Sequence, residues 1–170
     1  MGTLGPLNNV IFNNPELFIY DRSSDFATRV LDFSSQYGPT SWSAEQSLFA
    51  PNVFPNYGDN SKAWASATAD GQREYLHLGF DTSMRIKAVR IFETFNPGAI
   101  DTIYAKNSST GNWVVLYQKA AKAEPPASRE WRVDFKPTDF SVNEIRLAIN
   151  SPAVPGWNEI DAVAIVPADP

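Results

Sequence analysis

The sequence has no cysteine and a single histidine, His77. Without thiols there is no disulfide, no zinc finger, no iron–sulfur cluster and no cysteine nucleophile. One imidazole cannot build a histidine-rich metal site, and it leaves one candidate base for a nucleophilic triad. No run of about 20 apolar residues occurs, so no segment reads as a membrane-spanning helix. Basic residues number 14 against 19 acidic, for a net charge of −5. They are scattered, so the basic patch that a nucleic-acid backbone demands is missing. The opening Met1-Gly2-Thr3-Leu4-Gly5-Pro6 has no basic stretch followed by an apolar one, the pattern of a secretory leader. Met1-Gly2 reads as a cloning remnant, which hides any native leader. The absence of cysteine fits an exported bacterial protein and a cytosolic one equally.

What is present points to strands. The chain has 170 residues, enough for one domain with a real core, and 13 % of them are aromatic. Thirteen prolines suggest many turns rather than a helical bundle. Residues 1–24 are expected to form an N-terminal arm or a cloning-derived extension, and residues 25–170 the folded domain. Eight strands are expected, at 28–33, 74–80, 85–93, 101–106, 112–118, 129–136, 143–149 and 159–166. Alternation is clean in Trp131, Val133, Phe135 and in Ile145, Leu147, Ile149. Turn signals such as Asn96-Pro97-Gly98 and Pro155-Gly156 separate the strands. Residues 34–63 read as a long structured loop, a length usually reserved for function, and Lys119–Lys122 as one helical turn. The fold class implied is all-β, an antiparallel β-sandwich (jelly roll) of about eight strands. Trp64, Trp113 and Trp131 are expected in its core.

Three groups of segments carry a resemblance. The first is Val30-Leu31-Asp32-Phe33-Ser34-Ser35-Gln36-Tyr37 with Trp42-Ser43-Ala44-Glu45-Gln46. The second runs from Pro51-Asn52-Val53-Phe54-Pro55-Asn56-Tyr57-Gly58-Asp59 through Ala63-Trp64-Ala65 to Arg73–Phe80. The third joins Val89–Ala99 to Trp157-Asn158-Glu159-Ile160-Asp161. In this order and spacing they resemble the galactose-binding-like superfamily, close to F5/8 type C (discoidin) domains and carbohydrate-binding module family 32. The resemblance is nearest to the discoidin-like domain of an F-box/leucine-rich-repeat protein and of many bacterial surface proteins. It covers roughly residues 25–166. The family's Asp-Gly-Asp loop before the core Trp here has Tyr57 for the first Asp and Lys62 for a Thr, while Asp59 and Trp64 are retained. In relatives that loop often wraps a structural Ca²⁺ together with a Glu at the start of the last strand, a place held by Glu159.

The resemblance therefore implies a calcium site at Asp59, Ser61, Glu159 and Asp161, the last two being two residues apart on one strand face. The bland alternative is an Asx turn at Asp59 and an ion pair at Glu159. Aromatic rings in turn-rich segments suit the C–H faces of sugars, and Asn or Glu side chains suit their hydroxyls. If the last strand lies antiparallel beside 85–93, the loops at 94–98 and 151–157 meet at one end. The ligand residues expected are Trp42, Tyr57, Glu93, Phe95, Asn96, Trp157 and Asn158, against the alternative that these side chains plug the end of the sandwich. No catalytic residue is expected. His77 sits in mid-strand, and a hydrolase would need a deep cavity with facing carboxylates drawn from Glu93, Glu159 and Asp161. The function implied is a non-catalytic carbohydrate-binding module of a larger, extracellular or cell-surface protein. A protein–protein scaffolding module is the alternative.

Overall fold

The computed structural model describes residues 24–169, so the expected arm falls almost wholly outside the described residues. Nine strands run in chain order: β1 (Asp25–Phe26), β2 (Arg29–Phe33), β3 (Glu74–Met84), β4 (Ile86–Phe95), β5 (Ile100–Lys106), β6 (Trp113–Gln118), β7 (Arg129–Asp134), β8 (Val142–Ile149) and β9 (Glu159–Pro167). One sheet has the order β1-β9-β4-β7 and the other β2-β3-β8-β5-β6. Every pairing is antiparallel, which is the sandwich the alternation implies. Two short 3₁₀ turns, Ala44–Ser47 and Ser151–Ala153, are the described helical segments. Residues 119–122 are irregular rather than helical.

The period-two pattern explains the layers. In β8, Ile145, Leu147 and Ile149 are buried between the sheets, while Glu144, Arg146 and Ala148 point outward. They meet Leu76, Leu78 and Ile103 of their own sheet and Val89, Ile91, Val163 and Ile165 of the other. Strands β4 and β9 are buried on both faces, and both faces carry apolar residues, with Arg90, Glu93, Glu159 and Asp161 buried among them. Their outer face is roofed by the segment around Phe54, whose ring stands edge-on to Phe92 at 5.3 Å. Asp161 holds that segment down by accepting the N–H groups of Asn52, Val53 and Phe54.

Two of the three expected core tryptophans are inside. Trp64 is fully buried, and Trp131 packs against the core. Trp113 is a correction: it is 37 % exposed. It opens the edge strand β6, where the outward set is Trp113 and Val115 and the half-buried set is Val114 and Leu116. Strict alternation assigns the two faces but not which one looks inward. The outer one is favoured here because His77, Lys106 and Arg146 gather around the indole.

Candidate functional site

The long 34–73 stretch is a fitted rim, and Trp64 explains its shape. Its backbone pairs with Ile160 in both directions, Trp64 N–H to Ile160 C=O at 2.9 Å and the reverse at 3.1 Å. Burying this indole therefore pins the preceding loop against the start of β9, which brings Asp59 to Glu159. The residues just beyond form a strip on which other side chains are hung. Ala65 C=O accepts Tyr37 N–H, Ala65 N–H donates to Trp42 C=O, and Ser66 C=O accepts the Trp157 indole N–H. Trp42 N–H donates to Ser61 C=O at 2.8 Å, and its indole N–H to Asp59 at 2.8 Å. This web holds Trp42 at a φ of +52°, a left-handed conformation that costs a bulky residue about 1–3 kcal/mol.

The outcome is a cleft of about 80 Å³ lined by Tyr37, Trp42, Asp59, Ala65, Trp157 and Glu159. Tyr37 stands edge-on to Trp42 at 5.2 Å and to Trp157 at 5.8 Å. Tyr37 and Trp157 are 55 % and 37 % exposed, whereas Glu159 is 1 % exposed. Glu159 accepts Asn60 N–H and lines the cleft beside the Asp59 carboxyl. Burial, and then the neighbouring Asp59 carboxyl, push its pKa up from 4.5 to about 8. No lysine or arginine among the described residues pairs with either acid.

The loops at 94–98 and 151–157 do meet. Asn96 donates its amide N–H to Trp157 C=O, and Asn158 donates to Asn96 C=O. The contact requires Gly156, at φ +94°, because a β-carbon there would sit 2.7 Å from the Asn96 amide. Tyr57 packs on Phe95 at 5.6 Å and reaches Asn96, forming a second small cluster beside Trp157. The remaining expected ligand residues are taken up internally. Asn158 is buried, bonded to Ser151 and to the C=O groups of Asn96 and Val154. Glu93 is buried, with Arg129 at 2.6 Å and Gly98 N–H at 3.0 Å. Burial raises the Glu93 pKa against the pull of Arg129.

The expected calcium residues divide in the same way. Ca²⁺ needs six to eight oxygens. Asp161 spends its carboxylate on three amides, the Ser61 C=O is bonded to Trp42, and Asp59 and Glu159 face each other. Among the described residues no three His, Cys, Asp or Glu side chains gather where they would hold a metal ion. This donor set does not fit the ion. Tyr37 is the cleft residue that sequence reasoning missed. It lies within a quoted motif and precedes Gly38-Pro39, a turn signal that was available. A larger cleft, about 440 Å³, lies on the outer face of the five-stranded sheet between Arg73, Glu74, Tyr75, Tyr104, Trp113, Arg146 and Ala148. Its charged groups are already partnered: Arg73 with Asp101, Arg146 with Asp32, and Glu74 with the hydroxyls of Ser34 and Ser35.

Comparison with known proteins places this architecture. The family model described as Pappalysin-1, SD scarf domain, C-terminal, matches residues 20–169. An F-box/LRR-repeat protein 4 of Bos taurus is 29 % identical over 172 aligned positions, which take in 82 % of this chain and 28 % of that protein. The chain thus spans under a third of that relative's length. Among solved structures, XRCC1 bound to the DNA pol beta catalytic domain aligns with a TM-score of 0.64 at 16 % identity, covering 86 % of this chain and 99 % of that one. The family 32 carbohydrate-binding module of Streptococcus pneumoniae EndoD aligns with a TM-score of 0.59 at 12 % identity, covering 82 % and 95 %. At these identities the likeness establishes the galactose-binding-like fold, which carbohydrate-binding modules share with modules of other roles.

Proposed function

The chain belongs to the pappalysin-1 SD scarf domain, C-terminal, family, and from that premise we propose that it is a non-catalytic carbohydrate-binding module. In this reading it tethers a larger extracellular or cell-surface protein to a polysaccharide or glycoconjugate. One observation carries it: Tyr37, Trp42 and Trp157 wall a small open cleft at the loop end of the sandwich, with two carboxyl groups beside them. Exposed rings held rigidly next to polar groups are what a sugar's C–H face and substituents require. The family 32 module of EndoD, which has this fold, supports the reading. A shallow site of this size corresponds to a Kd of about 10⁻³–10⁻⁵ M, or ~4–7 kcal/mol, and tethering multiplies it through local concentration.

The paired carboxyls do not favour a hydrolase. Asp59 and Glu159 line one cleft of only about 80 Å³, too small to hold a sugar ring between two carboxyls as glycosidases do. A protein-docking role is the second reading. It is favoured by the exposed Trp113 and Val115 on the open sheet face and by XRCC1, which is seen bound to a polymerase domain. A glycan array and polysaccharide affinity gels separate the two. Retention of the wild type, lost in Trp157→Ala and Trp42→Ala and kept in Trp113→Ala, supports the module. Absence of retention on every glycan overturns it in favour of a protein partner.

A further inference from the structure

The cleft on the outer face of the five-stranded sheet differs from the rim in size and in sign. Its volume, about 440 Å³, falls within the roughly 300–1,000 Å³ of ligand pockets, whereas the rim cleft of about 80 Å³ takes only a substituent. The strand register makes the larger space. Ala148 of β8 is paired with Tyr75 on β3 and with Thr102 on β5, so a single methyl group floors a gap beside larger neighbours. Tyr104 borders that gap, and the Trp113 indole walls it. Trp113 is rooted on the edge strand β6, yet its ring lies back across β5 and β8 to meet His77 of β3 edge-on at 4.9 Å. Arg146 is held against these rings, its guanidinium 4.3 Å from the centre of Tyr75 and 5.6 Å from that of Trp113. The charge on the lining is positive. Arg73 and Arg146 border the cleft, and the acids that pair with them, Asp101 and Asp32, do not. Glu74, the one acid on the lining, is buried with its carboxylate on the Ser34 and Ser35 hydroxyls. Arg73 gives one N–H to Asp101 at 2.7 Å, and Arg146 stands 3.7 Å from Asp32. A guanidinium carries several N–H donors in a planar fork, so both arginines keep donors for a ligand. The chain's net charge of −5 is screened beyond about 8 Å at physiological salt, which leaves the lining to set the local sign.

We propose that this cleft is a second binding site, separate from the rim, and that it takes an acidic sugar. The ligand is a uronate residue whose carboxylate lies on Arg73 and Arg146 and whose C–H face lies against Tyr104 and Trp113. A carboxylate matches the planar fork of a guanidinium, and a pyranose ring supplies the flat apolar face that the aromatic walls require. The sugar class rests on the saccharide reading above; the size and sign of the cleft do not. The rim is the wrong place for such a ligand, because Asp59 and Glu159 line it and no cation does.

The test is calorimetric titration of the whole chain at pH 7 and physiological salt with trigalacturonic acid, its uncharged methyl ester and a triglutamate peptide. The acid is expected to bind about ten-fold or more tighter than the ester, and tighter than the peptide, which carries carboxylates without a sugar ring. Arg73→Gln alters a side chain that is 54 % exposed and keeps an amide donor for Asp101. It is expected to bring the acid-to-ester ratio close to one while the melting midpoint stays in place. Arg146→Lys keeps the charge and loses the planar fork, and is expected to weaken the acid about ten-fold. Trp113→Ala weakens it as well, and Trp157→Ala leaves it unchanged. Equal affinity for acid and ester, or a preference that survives in both arginine variants, overturns the proposal. Binding of the acid that is lost in Trp157→Ala places it on the rim and also overturns it. Triglutamate bound as tightly as the acid overturns the sugar assignment in favour of an acidic peptide. Uncharged glycans retained while the acid is ignored overturn this inference alone and leave the rim reading standing. The acid held at Arg73 and Arg146 while no uncharged glycan is retained overturns the rim reading and supports this site.

Discussion

Glu159 is the group whose titration exposes the rim most directly. Its folded pKa is about 8 against 4.5 for the free side chain. Below pH 4.5 the carboxyl is protonated in both folded and unfolded chains and contributes no pH dependence. Between pH 4.5 and 8 the folded chain holds a proton that the unfolded chain has released, so stability falls as pH rises through that window and levels off above it. The 3.5-unit shift corresponds to a ceiling of about 5 kcal/mol, and a carboxyl with one edge on an open cleft realises less than half of that, about 2 kcal/mol. Glu159→Gln imitates the protonated form. Its carbonyl still accepts Asn60 N–H and its amide donates to Asp59. The expected difference in melting temperature between Glu159→Gln and the wild type is near zero at pH 4.5. It grows to about 4–8 °C in the variant's favour at pH 8. Glu93 and Asp161, also raised by burial, are common to both proteins and cancel in the difference. Calorimetric melts at half-unit pH intervals measure it. A difference that stays flat from pH 4.5 to 8, or a variant less stable than wild type at pH 8, refutes the facing-carboxyl arrangement.

Other expectations follow from burial and pairing. Trp64→Ala is expected to cost about 3–5 kcal/mol in urea denaturation, because it empties the core and frees the rim from Ile160, whereas Trp113→Ala should cost less than about 1 kcal/mol. Equal costs would return Trp113 to the interior. Arg129→Met strips the partner from buried Glu93 and is expected to cost about 3–5 kcal/mol at pH 8. It should cost less at pH 5, where Glu93 takes up a proton more readily, and much of the loss should be recovered in Arg129→Met/Glu93→Gln. A pH-independent loss would deny the ion pair. Chelator is expected to leave the melting midpoint unchanged, since the donors near Asp59 fall short of a calcium shell; a drop of several degrees would show a bound ion.

The sandwich was legible because its signal is local. Alternation in β7 and β8 marks strands with one buried face, and apolar residues on both faces of β4 mark it as central. The closing of the 94–98 and 151–157 loops followed from one inferred neighbour relation, β9 beside β4. The rim was harder to read, because its geometry is set by tertiary backbone bonds to Ala65, Ser66 and Ile160, which no residue spacing encodes. Trp42 and Trp157 announced themselves as aromatics among turn residues, and Tyr37 did too, without its partnership being visible. Glu93, Asn158 and Asp161 have the composition of ligand residues, yet the fold uses them as braces, bonded to Arg129, to Asn96 and to three successive amides. Trp113 fitted the strand pattern, but a pattern of period two cannot say which face of an edge strand is solvated.

The most direct measurement of the rim's role follows the chain's five indole N–H signals by two-dimensional NMR during titration with an oligosaccharide of an uncharged glycan that retains the protein. If the cleft between Tyr37, Trp42 and Trp157 is where ligand binds, the Trp42 and Trp157 resonances move together and saturably, and those of Trp64, Trp131 and Trp113 hold still. Movement of Trp113 with Trp42 and Trp157 unchanged would place binding on the open sheet face and contradict the account.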